Sequence, residues 1–218
     1  KAPATTGAFC MPDIKRPTAV VFDIGRVIIR WDLRYLFAKL IDDRAELDWF
    51  LANVVTEQWH HQQDEGRPLS EMVPERIARF PEHAALIEAY ATRFAETYPE
   101  HVPGTLEIIA RLKAAGVPLF GLSNFGADFW PEFIANQPVF EGFRDIVVSG
   151  HENVAKPDPA IYEIAENRFG LPTSELFFID DKPENIAAAK ARGWHGHVFT
   201  GADALEAELS ALNLLPPR

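Results

Sequence analysis

Strand-sized apolar runs separated by helix-length stretches set the rhythm of this chain. Thr18-Ala19-Val20-Val21-Phe22 is rich in β-branched and aromatic residues and predicts a buried strand ending at Asp23. Further strands are predicted at Val117 to Leu122, Ile146-Val147-Val148, Leu176-Phe177-Phe178-Ile179 and His197-Val198-Phe199. Helical patterns lie between them. One opens at Pro103, carries Leu106, Ile109 and Leu112 on one face and closes at Gly116. Others cover about Asp128 to Asn136, Pro159 to Phe169, Pro183 to Arg192 with Gly193 as the stop, and Ala204 to Leu212. Strands alternating with helices predict an α/β fold: a parallel sheet with right-handed crossovers.

From Trp31 to about Pro99 the pattern changes. Helical stretches dominate there, at Leu33 to Leu40, Ala45 to Val55 and Ala84 to Thr97, and strand-like runs are missing. The predicted organisation is an N-terminal tail at 1–16, an α/β core at 17–30 and 100–218, and an inserted helical unit at 31–99.

Composition narrows the partners. Hydrophobic residues make up 47% and charged residues 24%, which suits a packed globule. With 21 basic and 32 acidic residues the formal net charge is -11, a field that repels nucleic acid. A small anionic substrate remains compatible, because one metal ion and one lysine reverse the sign locally. The apolar runs are too short for a membrane span. Cys10 is the sole cysteine and nothing near it marks an activated thiol, so a cytoplasmic setting is expected. Lys1 to Cys10 lack a signal-peptide core and read as a loose tail, with Met11 as a candidate start. Pro216 and Pro217 are expected to fray. Monomer and homodimer are both open.

The candidate chemistry gathers at strand ends, where open parallel sheets bind ligands. Asp23 ends the first strand, Ser123-Asn124 the second and Asp180-Asp181 a later one, while Lys156 lies in the loop before the Pro159 helix. Three carboxylates in one crevice raise one another's pKa unless a cation neutralises them. Magnesium suits this donor set, keeps several waters and bridges to substrate phosphate. Each feature has a plain counterpart. A strand ends in a turn aspartate, Asp180-Asp181 caps a helix, Lys156 is solvated, and Ser123-Asn124 is a turn. All of these must hold at once to remove the site.

Phe22-Asp23-Ile24-Gly25, Leu122-Ser123-Asn124, Lys156-Pro157-Asp158-Pro159-Ala160-Ile161-Tyr162 and Phe178-Ile179-Asp180-Asp181 resemble, in order, the four motifs of the haloacid dehalogenase-like superfamily. The resemblance covers nearly the whole chain beyond the tail, and it implies a Rossmann-like core with helices on both faces and a helical cap. It implies Asp23 as nucleophile and metal ligand, the Gly25 carbonyl as a second ligand, Asp181 bound directly and Asp180 through water. Ser123 and Lys156 would hold the transferring phosphoryl group, Lys156 also pairing Asp23, and Asn124 would line the site. The implied activity is a magnesium-dependent phosphatase acting on a small phosphorylated metabolite, a sugar phosphate foremost, through an aspartyl-phosphate.

Two positions depart from the pattern. Phosphatases of the family usually carry a second aspartate, the acid/base, where this chain has Gly25; some that resemble it also have glycine there. Arg26 stands where relatives tend to have glycine or asparagine; it is read either as gripping a substrate anion or as lying on the surface. The stretch Trp59 to Arg67 resembles a cap segment of sugar-phosphatase relatives that selects the substrate. His60 or His61 would donate a proton there, set against a solvated helix face as the plainer reading. Trp31 and Trp59 are read as packing anchors between cap and core. Two rivals remain: a metal-free 2-haloacid dehalogenase using Asp23, which the charge of Asp180-Asp181 opposes, and a catalytically idle binding module.

Overall fold

β1 (Ala19–Phe22) is buried along its whole length, and its side chains alternate between two cores. Val20 and Phe22 face one side; Ala19 and Val21 face the other. A strand with no polar face must lie inside a sheet covered on both sides, and the computed structural model, which describes residues 16–215, has that arrangement. Expectations for Cys10, Met11, the rest of the tail before residue 16, Pro216 and Pro217 fall outside the described residues.

The main sheet is parallel, in the order β5 (Asp145–Val148), β4 (Leu119–Ser123), β1, β6 (Leu176–Asp180), β7 (His195–Val198). A two-stranded antiparallel ribbon, β2 (Ile29–Arg30) with β3 (Glu100–His101), closes the neck of the helical insert. Two residues per strand are too few for periodicity to reveal. Between these strands run α1 (Arg34–Phe37), α2 (Arg44–Asn53), α3 (Glu57–Asp64), α4 (Leu69–Arg79) and α5 (Ala84–Thr92). The core helices are α6 (Thr105–Ala114), α7 (Trp130–Ala135), α8 (Ser149–Glu152), α9 (Pro159–Phe169), α10 (Pro183–Ala191) and α11 (Ala202–Ala211). Ile108, Ile109 and Leu112 of α6 and Leu205 and Leu209 of α11 cover one face of the sheet. Ile161, Tyr162 and Ala165 of α9 and Ile186 and Ala189 of α10 cover the other. The fold is a Rossmann-like α/β core with a helical cap.

Several expectations shift. α6 begins at Thr105, not Pro103, because Gly104 takes a left-handed φ of 82° at its N-cap. Its buried face therefore holds Thr105, Ile108, Ile109 and Leu112, and Leu106 is exposed. The stretch to Thr97 is not one helix: Arg93 leaves helical geometry, and Phe94–Thr97 is a 3-10 turn. α3 and α4 have no counterpart among the predicted helices. α3 is too polar to show an apolar stripe, and α4 holds Pro74 in its interior. α3 forms because the Thr56 side chain accepts from Trp59 N, and because Trp59, His60, Gln63 and Asp64 are buried by the rest of the molecule. No helix among the described residues is long and apolar enough to cross a membrane.

Candidate active site

The strand order turns about β1, with β4 on one side and β6 on the other, so the crevice opens at the tips of these three strands. The register places Phe22 level with Gly121 and with Ile179, so Asp23 and Asp180 come level with each other, and Ser123 follows one residue further along β4. Asp23 N donates to Ile179 O at 2.8 Å, which pins the first carboxylate beside β6. Asp23, Asp180 and Asp181 each offer a carboxylate oxygen within 4.8 Å of the others.

Lys156 stands between them. Its Nζ lies 2.8 Å from Asp23 Oδ1 and 2.7 Å from Asp180 Oδ2, and it donates to Leu122 O at 2.9 Å. Burial opposes its charge, yet Asp180 and Asp23 outweigh burial and hold its pKa above the usual lysine range. One lysine cannot neutralise three carboxylates. Burial, only partly offset by Lys156, together with Asp180 and Asp181 pushes Asp23 up to about 7. Burial and Asp180 raise Asp181 as well. A divalent cation with oxygen ligands fits this cluster: the acceptors are hard carboxylates, and one lysine leaves them short of positive charge.

Asp180 is fully buried and its acceptors are taken. Lys182 N donates to Oδ1 at 2.8 Å, and Asn185 Nδ2 lies 3.0 Å from each oxygen. Asn185 did not surface from the sequence. The signal was present, a lone asparagine opening an alanine-rich helix five residues past Asp180, but composition alone does not aim it. Tyr162 Oη donates to Asn185 O at 2.9 Å and fixes that turn of α10.

Ser123 is buried at the tip of β4. Asn124 lines the cavity, but its amide is engaged: Nδ2 donates to Lys156 O at 3.0 Å, and Oδ1 accepts from Lys156 N at 2.8 Å. It holds the lysine loop. Gly25 lines the cavity, and a Cβ there would meet nothing within 4 Å.

The cavity has a volume of about 360 Å³, with α3 forming much of the opposite wall. His60 is not on a solvated face. It is buried, stacked on Trp31 at 4.8 Å and Phe94 at 5.6 Å, with Nδ1 2.6 Å from Tyr90 Oη. Burial lowers its pKa. His61 is partly exposed, with Nδ1 3.4 Å from Asp64 Oδ2; that carboxylate raises its pKa. Asp64 is buried; its Oδ1 makes no hydrogen bond among the described residues and faces His60 Nε2 at 3.5 Å.

Arg26 neither reaches free into the cavity nor lies out on the surface. Its Nη2 pairs with Glu57 of α3 at 2.6 Å, and its guanidinium lies 5.0 Å from the Trp31 ring centre. It joins core to cap at the cavity wall. Its φ of 61° is left-handed, a conformation that favours glycine or asparagine. Trp31 therefore contacts both units, while Trp59 packs within the cap against Tyr90 and Arg76.

Known proteins share this architecture. A structure of a HAD family enzyme from Bacteroides thetaiotaomicron superposes with a TM-score of 0.71 at 20% identity, covering 89% of this chain and 99% of that one. The same enzyme was crystallised with magnesium and inorganic phosphate (TM-score 0.65, 21% identity, 85% and 95% covered). At these identities the likeness shows the fold. In sequence, the chain is 26% identical to a sesquiterpene phosphatase of Aspergillus oryzae, over 89% of this chain and 95% of that protein. It is 29% identical to an (S)-2-haloacid dehalogenase of Pseudomonas putida over 47% of this chain, spanning about half of that protein's length (46%). The family model for haloacid dehalogenase-like hydrolases matches residues 17–193, most of the chain. Sequence, fold and the order of its strand-tip motifs thus agree, and the protein belongs to the haloacid dehalogenase-like hydrolases.

Proposed function

We propose that this hydrolase is a magnesium-dependent phosphatase that works through Asp23, with residues 31–99 as a cap over the core at 17–30 and 100–218. The observation that carries the reading is the cluster of Asp23, Asp180 and Asp181 around one lysine, at the floor of a cavity of ligand size. Asp23, the Gly25 carbonyl and Asp181 would hold the ion. Asp180, whose oxygens are occupied by Lys156, Lys182 and Asn185, would act through water. When bound, the cation supplies charge neutralisation for both the carboxylates and the phosphate oxygens.

Asp23 attacks phosphorus, the leaving group departs, and water then hydrolyses the aspartyl-phosphate. Lys156 orients Asp23 and, with the Ser123 hydroxyl, stabilises charge on the transferring group. Asn124 contributes by holding the Lys156 backbone rather than by touching substrate. The cap wall carries hydrogen-bonding groups at Gln58 and Asp64 beside the flat faces of Trp31 and Phe94. That mixture suits a hydroxyl-bearing phosphate ester such as a sugar phosphate. Asp64 disfavours substrates that carry a carboxylate besides the phosphate.

The likeness to 2-haloacid dehalogenases favours a second reading, halide displacement by the same aspartate. Two carboxylates beside the nucleophile oppose it, since an anionic haloacid gains nothing from them. Phosphate release from a panel of phosphorylated metabolites, with magnesium and with EDTA, is measured beside chloride release from chloroacetate. EDTA-sensitive phosphate release is expected. Chloride release that ignores EDTA, with no phosphate released, overturns the proposal.

A further inference from the structure

Asp23, Asp180, Asp181 and Lys156 at the floor of the cavity are already committed. Lys156 is held charged between Asp23 and Asp180, and Asp180 is saturated by its donors. Gly25, two residues past Asp23, has no side chain to offer. A leaving alkoxide must still be protonated, so the donor is sought on the cap wall. Glu57 is tied to Arg26. His60 is buried and held neutral, with Nδ1 on Tyr90 Oη. Burial and the nearby Asp64 keep the Tyr90 phenol protonated. With Tyr90 donating to Nδ1, His60 carries its proton on Nε2, the nitrogen that faces Asp64 Oδ1 at 3.5 Å. The other oxygen of Asp64, Oδ2, lies against His61 Nδ1 at 3.4 Å.

We propose that His61, positioned by Asp64, is the general acid and base of this site, in the role that Gly25 leaves vacant. This rests on the phosphatase reading above. The cavity wall includes His61 and Asp64 as well as Asp23 and Gly25. The charged groups that face His61 are Asp64 and Glu65 on its own segment, which favour the imidazolium, and Lys182 of the core, which opposes it. The hydrogen bond to Asp64 prevails, so His61 is poised to give a proton near neutral pH.

The proton balance closes over the two steps. As Asp23 forms its bond to phosphorus, the bond to the leaving oxygen breaks and that oxygen takes the His61 proton. The neutral imidazole then accepts a proton from the water that attacks the aspartyl-phosphate, which restores the imidazolium and frees phosphate and Asp23.

The test uses full-length protein with magnesium and two probes, phenyl phosphate, with a poor leaving group, and p-nitrophenyl phosphate, with a good one. His61→Gln is expected to lower kcat on phenyl phosphate roughly 100-fold and on p-nitrophenyl phosphate only a few-fold, with an unchanged melting temperature. It should also abolish the alkaline limb of the kcat–pH profile on phenyl phosphate. Because a Cβ at Gly25 meets nothing within 4 Å, Gly25→Asp in the His61→Gln background should restore the rate on phenyl phosphate selectively. Equal losses on both probes, or no loss, overturn the assignment of His61 while the phosphatase reading stands. Absence of magnesium-dependent phosphate release from the parent protein overturns both.

Discussion

Asp180 and Asp64 are both buried carboxylates, one beneath the cavity floor and the other in its wall, and they are held in opposite ways. Asp180, at the strand tips, accepts from a lysine, a backbone amide and an asparagine. Asp64, on the cap, has one oxygen against His61 at 3.4 Å and the other without a hydrogen bond among the described residues. A saturated group cannot be reoriented without breaking several bonds, so it holds geometry. An unsaturated one has capacity left for a substrate hydroxyl or a proton. On the proposed reading, the floor of the cavity holds one fixed geometry for the chemistry, and the roof keeps polar capacity for what enters.

If that contrast is right, damage to the floor abolishes chemistry for every substrate, and damage to the roof grades it by leaving group. The largest effect is expected from Asp23→Asn. It removes the proposed nucleophile but keeps the shape, so turnover should fall by at least about a thousandfold on all substrates. The melting temperature should hold or rise, because the amide relieves a buried, raised carboxylate. Substantial residual phosphate release would remove Asp23 from the mechanism.

Asn185→Ala tests the saturation of Asp180 directly. Loss of the Nδ2 contacts leaves a buried carboxylate with fewer donors, at a cost of about 1–3 kcal/mol in denaturant unfolding. Turnover should fall equally on good and poor leaving groups. A change confined to poor leaving groups would contradict the division between floor and roof.

Magnesium should stabilise the fold in a pH-dependent way. Asp23 binds its proton more tightly folded, at about 7, than its ordinary 3.8. Without a cation, the folded state then holds more protons than the unfolded chain between those values. The contribution of Asp23 to stability is fully present below about pH 4 and is lost as pH rises through 7. Asp181 acts in the same direction, and Lys156 is charged throughout this window. The rise in melting temperature on adding magnesium should therefore be larger at pH 8 than at pH 5. An equal rise at both would detach the cation from these carboxylates.

The same contrast explains what the sequence made legible. Asp23, Ser123 and Asp180 close strands whose apolar runs announce themselves, and a parallel sheet brings such ends together whatever the loops do. Asn185 was missed because its aim depends on the pitch of α10, not on its own type. The cap was legible only as helical. α3 shows no apolar stripe, because its buried His60, Gln63 and Asp64 are polar, so its inward face is evident only from the packing. Arg26 was read as a choice between substrate and solvent. Its partner Glu57 is 31 residues away, on the other unit.

Arg26 also supplies the smallest and most discriminating effect. Arg26→Gly removes the pair with Glu57, which is partly exposed on both sides and of the kind worth about 0–1 kcal/mol. It also removes the left-handed φ of 61° from a side chain that disfavours it, a relief of about 1 kcal/mol. The two nearly cancel, so the melting temperature should move by no more than about 2 °C. Catalysis should not cancel. Glu57 loses its counter-charge at the cavity wall, so KM for a phosphate dianion should rise a few-fold while kcat holds. If instead the melting temperature drops sharply with KM unchanged, Arg26 is a structural tie between core and cap, and the roof owes its charge balance to other residues.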